Sequence, residues 1–374
     1  MNVAISAIRT KDTRINRYEL VTSIQKMGHK VIYLGQESDG ELHADYNKLD
    51  VKFLPIPLGR TNTNPIREIF SVSKTRRILK QNDIGTIIVY GIRTFPAMVL
   101  AAKLAGVKRV ICIVNGSGRL FQLPGIKGFL VKAISYPMLG LAFLLSTRIL
   151  FQNQDDMEMI GKKKLLWKNN YGITNGSGVN LEEFRQKRLE ESPVFMMISR
   201  LTGSKGVNEY LEAIEMVKEK HPESIFYLIG PMDDDSTMDQ ILLQRLVDEG
   251  TLKLIGKVDD VRLYLQKSRI FVLPSYYPEG VPRSILEALA MGRPVITTTT
   301  PGCKETVIDG VNGFLVPPRD SKKLAERMIW MVENKDKVDN MGQQSRILCE
   351  EKFDVNHINQ IILRNIESND QQAM

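Results

Sequence analysis

Two carboxylates, Glu279 and Glu287, stand eight positions apart around the segment Gly280-Val281-Pro282-Arg283-Ser284. A strand-like run, Ile270-Phe271-Val272-Leu273, ends at Pro274 just before them, and Ser275, Tyr276, Tyr277 and Pro278 form a loop. Pro282 suits the first turn of a helix, where the missing N–H breaks no hydrogen bond, and Gly292 followed by Pro294 suits its end. The pattern predicts a short helix whose leading amides, those of Val281, Arg283 and Ser284, have no partner inside it. Converging amides and the positive end of the helix dipole make such a start a site for a diphosphate. One carboxylate before that start and another a turn or two along suit the hydroxyls on either side: Glu279 a donor sugar, Glu287 a ribose. An ordinary capped helix carrying two solvated glutamates fits the same residues.

The elements that must position this segment read as α/β. Short β-branched runs recur with helical material between them: Val3-Ala4-Ile5, Val31 to Leu34, Lys52-Phe53-Leu54, Thr86 to Tyr90, Val110 to Val114 and Ile149-Leu150-Phe151 in the first half. A second series comprises Val194 to Ile198, Ile225 to Ile229, Leu252 to Ile255, Ile270 to Leu273 and Pro294 to Thr297. This alternation marks parallel sheets, so two doubly wound sheets are expected, with ligands in the cleft beyond the carboxyl ends of the strands. The small, polar and charged stretch from Asn175 to Pro193 reads as the linker. From Val355 to Ser368, Ile358, Ile361, Ile362 and Ile366 mark an amphipathic helix.

Glu279 and Glu287 in the setting EGVPRSILEALAMGRPVITT, followed by PGCKETVIDGVNGFLVPP, resemble the family 4 retaining glycosyltransferases, and in particular the bacterial branch that builds lipid-linked surface polysaccharides. The resemblance extends over most of the chain and implies the GT-B architecture, with two Rossmann-like domains facing across a cleft. It implies an acceptor-binding domain over residues 1–175, joined by a C-terminal helix within 355–374, and a nucleotide-sugar domain over 176–354. Arg200, in Ile198-Ser199-Arg200-Leu201, and Lys205, before Gly206, are similar to the family's pair of cations that grips the donor diphosphate. Two fixed cations can replace a metal as the leaving nucleoside diphosphate gains charge; a plain basic loop after a strand is the alternative. Gly256-Lys257-Val258 resembles the family's base-binding turn. Asn175 to Gly178 with Val179, Asn180 and Phe184 matches its interdomain entry, and Phe151-Gln152-Asn153-Gln154-Asp155-Asp156 is also similar to this branch. Asn115-Gly116-Ser117-Gly118 corresponds to a glycine loop that contacts acceptor or donor sugar. Two positions depart from the branch. Pro278 stands where it has Arg, and Thr299 where it has Asp. The first strand is followed by Ile8 to Asn16 rather than a glycine-rich loop, and Arg9, Lys11 and Arg14 there suit a phosphate-bearing acceptor.

An inverting transferase needs a positioned base to deprotonate the acceptor. None of His29, His43, His221 and His357 falls in the expected cleft loops, which agrees with retention, where the departing phosphate oxygen takes the proton. The Asp233-Asp234-Asp235 run reads as a solvated loop, and no metal or cofactor is expected. A hexosyltransferase is the leading reading, moving a hexose or N-acetylhexosamine from a UDP-sugar to a polyprenyl-diphosphate-linked saccharide for capsule, O-antigen or glycan. A nucleotide-sugar epimerase of the same fold and a non-catalytic nucleotide-sugar-binding partner of an assembly complex are the alternatives.

Charge is unevenly spread. Residues 1–175 carry 26 Lys and Arg against 12 Asp and Glu, and from Phe70 to Gln154 the single acid is Asp83. Such a bias suits an anionic membrane surface or a phosphorylated acceptor, or else a merely solvated face; nucleic-acid binding is disfavoured because interleaved aromatics are missing. The most apolar stretch, Gly128 to Leu150, has its longest uncharged run from Ala133 to Thr147, short of the roughly 20 residues of a spanning helix. It fits an interfacial helix flanked by Lys127, Lys132 and Arg148, or a buried core helix. Three scattered cysteines, Cys112, Cys303 and Cys349, and a first segment without an apolar leader suit a cytoplasmic protein, peripheral on the inner face of the plasma membrane.

Overall fold

The computed structural model describes residues 1–6, 10–35, 49–57, 65–118, 121, 124–233 and 237–367, with backbone alone over 10–16 and 65–70. The chain divides into two compact units, Met1–Ser177 with Val355–Met374, and Gly178–Asp354. Arg9, in the acceptor reading, lies outside the described residues, as do His43, Asp234 and Asp235; Arg14 falls in a helix, but its side chain lies outside them too.

In the first unit, β1 (Asn2–Ser6), α1 (Thr10–Lys26), β2 (Lys30–Gly35), β3 (Lys52–Pro55), α2 (Pro65–Gln81), β4 (Ile84–Tyr90), α3 (Phe95–Ala105), β5 (Arg109–Val114), α4 (Gly125–Leu145), β6 (Arg148–Phe151), α5 (Gln154–Lys162) and β7 (Tyr171–Ile173) follow in order. The strands form one parallel sheet in the order β3-β2-β1-β4-β5-β6-β7. Both faces of the central strands are covered, which is why Val3, Ala4, Ile5, Ile87, Ile88 and Val89 are all fully buried and read as continuous apolar runs.

The second unit runs β8 (Val194–Ile198), α6 (Val207–Lys220), β9 (Ile225–Ile229), α7 (Gln240–Asp248), β10 (Leu252–Gly256), α8 (Arg262–Lys267), β11 (Ile270–Leu273), α9 (Arg283–Ala290), β12 (Val295–Thr298), β13 (Gly313–Val316), α10 (Ser321–Glu333) and α11 (Lys335–Lys352). Its sheet is again parallel, ordered β10-β9-β8-β11-β12-β13. The chain then returns to the first unit through α12 (Val355–Glu367), which packs on α1 and adds Ile362 and Ile366 to the cluster of Leu20, Val21 and Ile24. The doubly wound α/β class expected from the strand pattern is present in both units.

The stretch read as a linker is largely a strap on the second unit. Val179 and Phe184 are buried, and three arginines hold the backbone between them and β8. Arg346 donates to Phe184 O (2.9 Å), Arg293 to Lys187 O and Arg188 O, and Arg269 to Glu190 O (2.6 Å). Charged residues in the strap's sequence suggested solvent; its apolar side chains Val179 and Phe184 join the core, and its carbonyls take the arginines. Arg293 is fully buried, and that burial lowers its pKa to about 10.

Candidate active site

In both sheets the first strand is central and the order reverses beside it, so a crevice opens beyond the carboxyl ends at that switch point. In the second unit the switch lies between β8 and β11. The loop after β8 carries Arg200 and Lys205, and the loop after β11 carries Glu279. The fold brings the last two together: Lys205 Nζ is ion-paired with Glu279 Oε1, both side chains mostly buried, and stands 5.3 Å from the centroid of the Tyr277 ring. Ser275 Oγ lies 3.3 Å from the same Glu279 oxygen.

Two glycines make this approach possible. Gly206, at φ +78°, closes the turn Gly203–Lys205, and a Cβ there would lie 2.2 Å from Pro274 O. Gly302, at φ +81°, brings the PGC turn against the loop, and its Cβ would lie 2.1 Å from Gly280 O. A side chain at Gly206 would push apart the two loops that carry the lysine and the glutamate, and one at Gly302 would push the PGC turn off the glutamate's loop.

Helix α9 starts as its sequence predicts. Pro282 O accepts from both Ile285 N (3.1 Å) and Leu286 N (3.3 Å), which places the amides of Val281, Arg283 and Ser284 ahead of the helical ladder. Gly280 and Val281 are buried, and Arg283 and Ser284 half-buried. Glu287 lies within α9 and is 8% exposed. Burial raises its pKa, and the neighbouring Arg283, donating through Nε at 2.9 Å, pulls it back. Arg283 therefore engages a buried carboxylate through its side chain, beyond the backbone part foreseen for it.

Arg200 does not join the Lys205–Glu279 pair. Its guanidinium meets Asp233 at 3.0 Å, with both side chains well exposed. Asp233, read as part of a solvated loop, is thereby a partner of a candidate catalytic residue, and the run of acids alone gave no sign of it. Lys257 is exposed and Val258 half-buried just after β10, two strands from β8. Pro278 is buried and Thr299 exposed, so of the two departures from the family pattern only Thr299 presents its side chain to solvent. Thr298 and Thr300 both donate to Ser275 O, fixing the loop that carries Glu279, a role the sequence did not suggest.

In the first unit, Asn115, Gly116, Ser117 and Gly118 follow β5. Asn115 is exposed, while Gly116 and Ser117 are buried. Asp156, near the start of α5, accepts from the Ser117 hydroxyl and amide and from Asn153 Nδ2 at 3.0 Å; burial raises its pKa and these bonds oppose the rise. Asn153 in turn caps α5 by accepting from Asp156 N at 2.8 Å. The Gln152 to Asp156 motif is thus the support of the glycine loop. The described histidines stand elsewhere: His29 near Glu367, His221 beside Glu223 and Glu333, and His357 exposed on α12.

Residues 180–347 match the family model Glycosyl transferases group 1. The chain is 25% identical over 300 residues to the Campylobacter jejuni N,N'-diacetylbacillosaminyl-diphospho-undecaprenol alpha-1,3-N-acetylgalactosaminyltransferase, covering 76% of this chain and 78% of that protein. It is 26% identical to the Escherichia coli UDP-Gal:alpha-D-GlcNAc-diphosphoundecaprenol alpha-1,3-galactosyltransferase, covering 78% of each. Among solved structures, Anabaena HepE in complex with UDP superposes with a TM-score of 0.77 at 16% identity, covering 99% of this chain and 100% of that one. A Rickettsia africae glycosyltransferase gives 0.78 at 17% identity, covering 98% and 99%. These structural likenesses establish the fold, that of the GT-B glycosyltransferases. Residues 180–347 are a glycosyl transferases group 1 domain, and the chain is a glycosyltransferase.

Proposed function

We propose that the chain transfers a hexose or N-acetylhexosamine from a UDP-sugar to a polyprenyl-diphosphate-linked saccharide, with retention of configuration, at the inner face of the plasma membrane. The observation that carries this reading is the Lys205–Glu279 pair at the β8/β11 switch point, beside the start of α9. The amides of Gly280, Val281, Arg283 and Ser284 bind the diphosphate, and Lys205 and Arg200 neutralise it. Glu279 accepts from hydroxyls of the donor sugar and Glu287 from those of the ribose, while Lys257 and Val258 line the base.

Chemistry then needs no separate base. The bond between the anomeric carbon and the UDP oxygen breaks, an acceptor hydroxyl forms the new glycosidic bond on the same face, and its proton passes to the departing phosphate oxygen. Charge grows on that phosphate in the transition state, where Lys205 and the α9 amides act most strongly. In the first unit, the glycine loop Asn115 to Gly118 contacts the acceptor, and Arg9 and Arg14 its phosphates. The relatives whose names specify diphospho-undecaprenol acceptors support a lipid-linked acceptor here, and the basic first unit supports an anionic membrane as its setting.

The test is a panel of UDP- and GDP-sugars incubated with polyprenyl-diphosphate saccharides, products weighed by mass spectrometry and the new anomer read from its NMR coupling. A UDP-sugar product of unchanged configuration is expected. An inverted anomer would sink the mechanism, and turnover confined to GDP-sugars the donor assignment.

A further inference from the structure

Helix α4 has two faces, and both are apolar. Leu139, Ala142 and Phe143 point inward and are buried in the first unit, with Gly128 on the same side. On the opposite side Ile126, Leu130, Ile134, Met138 and Leu141 follow one another at helical spacing, between 44% and 82% exposed, with Phe129 and Val131 exposed at the flanks. A helix on the surface of a soluble unit ordinarily turns charge outward. Here the outward stripe holds one charge, Lys127.

The surroundings say what covers it. Trp167 lies against Gly140 with its indole 55% exposed, and its Nε1 donates to Lys164 O at 2.7 Å. Lys162 at the end of α5 and Lys163, Lys164 and Lys168 on the short loop after it are exposed. Lys103 on α3 is near enough to Lys168 to feel its repulsion, which adds to burial in lowering its pKa. Glu158, 3.9 Å from Lys162, is the acid paired there. Two copies of the chain meeting through α4 would bring these lysines together, whereas anionic headgroups would neutralise them.

We propose that the outer face of α4, with Trp167 at its border, is a docking surface for a lipid bilayer bearing anionic headgroups. This rests on the reading of a membrane-borne acceptor and names the residues that meet the membrane. The helix lies in the plane of the interface, because its inner face is committed to the first unit and Lys127 must reach the headgroups. Ile126, Phe129, Leu130, Ile134 and Met138 enter the acyl boundary, Trp167 sits at headgroup level, and Lys164 and Lys168 contact phosphate.

Flotation of the full chain with vesicles tests this, using phosphatidylcholine alone and phosphatidylcholine mixed with phosphatidylglycerol. The wild type is expected to float with the anionic vesicles. The triple variant Phe129→Ser, Leu130→Ser, Ile134→Ser should lower that partition by at least about tenfold, and Lys164→Gln with Lys168→Gln should lower it in a salt-sensitive way. Flotation equal in all three proteins overturns the proposal. So does a dimer, seen by light scattering, that the triple variant dissolves. Thermal stabilisation by UDP is read on the same samples: if it persists while flotation fails, only the docking surface falls, and if it is absent while flotation follows the expected order, only the donor assignment does.

Discussion

At the carboxyl ends of β8 and β11 every candidate charge meets a counter-charge: Lys205 with Glu279, Arg200 with Asp233, Arg283 with Glu287. On the outer face of α4 the pattern is reversed, with Ile126, Leu130 and Ile134 in water and lysines gathered beside Trp167. On the proposed reading, the second unit meets a small anion of fixed shape, whose phosphates and hydroxyls each exchange for a protein partner. The first presents an area rather than a site, where no single residue decides. Substitutions should therefore act steeply in one unit and gradually in the other.

The steepest effect belongs to Lys205. Lys205→Ala should lower kcat/KM by about a hundredfold or more, in line with loss of one charge-stabilising donor, with far-UV circular dichroism unchanged. Glu279→Ala should also abolish most turnover, but with a higher donor KM, since Lys205 survives without its partner. Unimpaired turnover in either variant would remove these residues from the mechanism. Next in size is a stability effect. Arg293→Ala leaves the carbonyls of Ser268, Lys187 and Arg188 without their buried donor and should destabilise the second unit by about 3–5 kcal/mol in urea unfolding, releasing the strap. At the other extreme, Ile134→Ser on the outer face of α4 should shift unfolding by no more than about 0.5 kcal/mol, whatever it does to vesicle binding. A large loss there would mean that α4 is covered within the protein.

Between these lies a pH effect. Burial raises the pKa of Glu287 above its unfolded value of 4.5, so the folded state holds that proton more tightly. Its contribution to stability is present in full below the unfolded value and is lost as pH rises through the raised folded one. Donor affinity runs the other way, because only the ionised carboxylate accepts from two hydroxyls. Titrating UDP from acid toward neutral pH should show tightening in the wild type and a flattened profile in Glu287→Gln.

Much of this was legible in the sequence because the central strands are buried on both faces and so appear as unbroken apolar runs. The two strands it missed, β7 and β13, are the outer edges of their sheets. Tyr171–Ile173 is three residues long and only half-buried, and Gly313–Val316 begins with glycine, so neither carries the signal of a covered strand. The start of α9 was readable because proline and glycine mark helix ends locally. Pairings between distant loops were not: nothing in an Asp-rich run names Arg200 as the partner of Asp233, and no periodicity assigns Thr298 and Thr300 to the carbonyl of Ser275. The apolar stretch over α4 could be read as core or as interface until exposure separated its two faces.

The closed Lys205–Glu279 pair also bears on turnover number. On the proposed reading, a bare nucleoside diphosphate draws Lys205 toward its phosphates and parts it from Glu279, with no sugar hydroxyl to take the lysine's place while Ser275 Oγ stays beside the carboxylate. The intact donor offers both groups what they lose in each other. Spent UDP therefore competes against the re-formation of an internal contact, and the site empties itself after each cycle rather than waiting for fresh donor to displace the product.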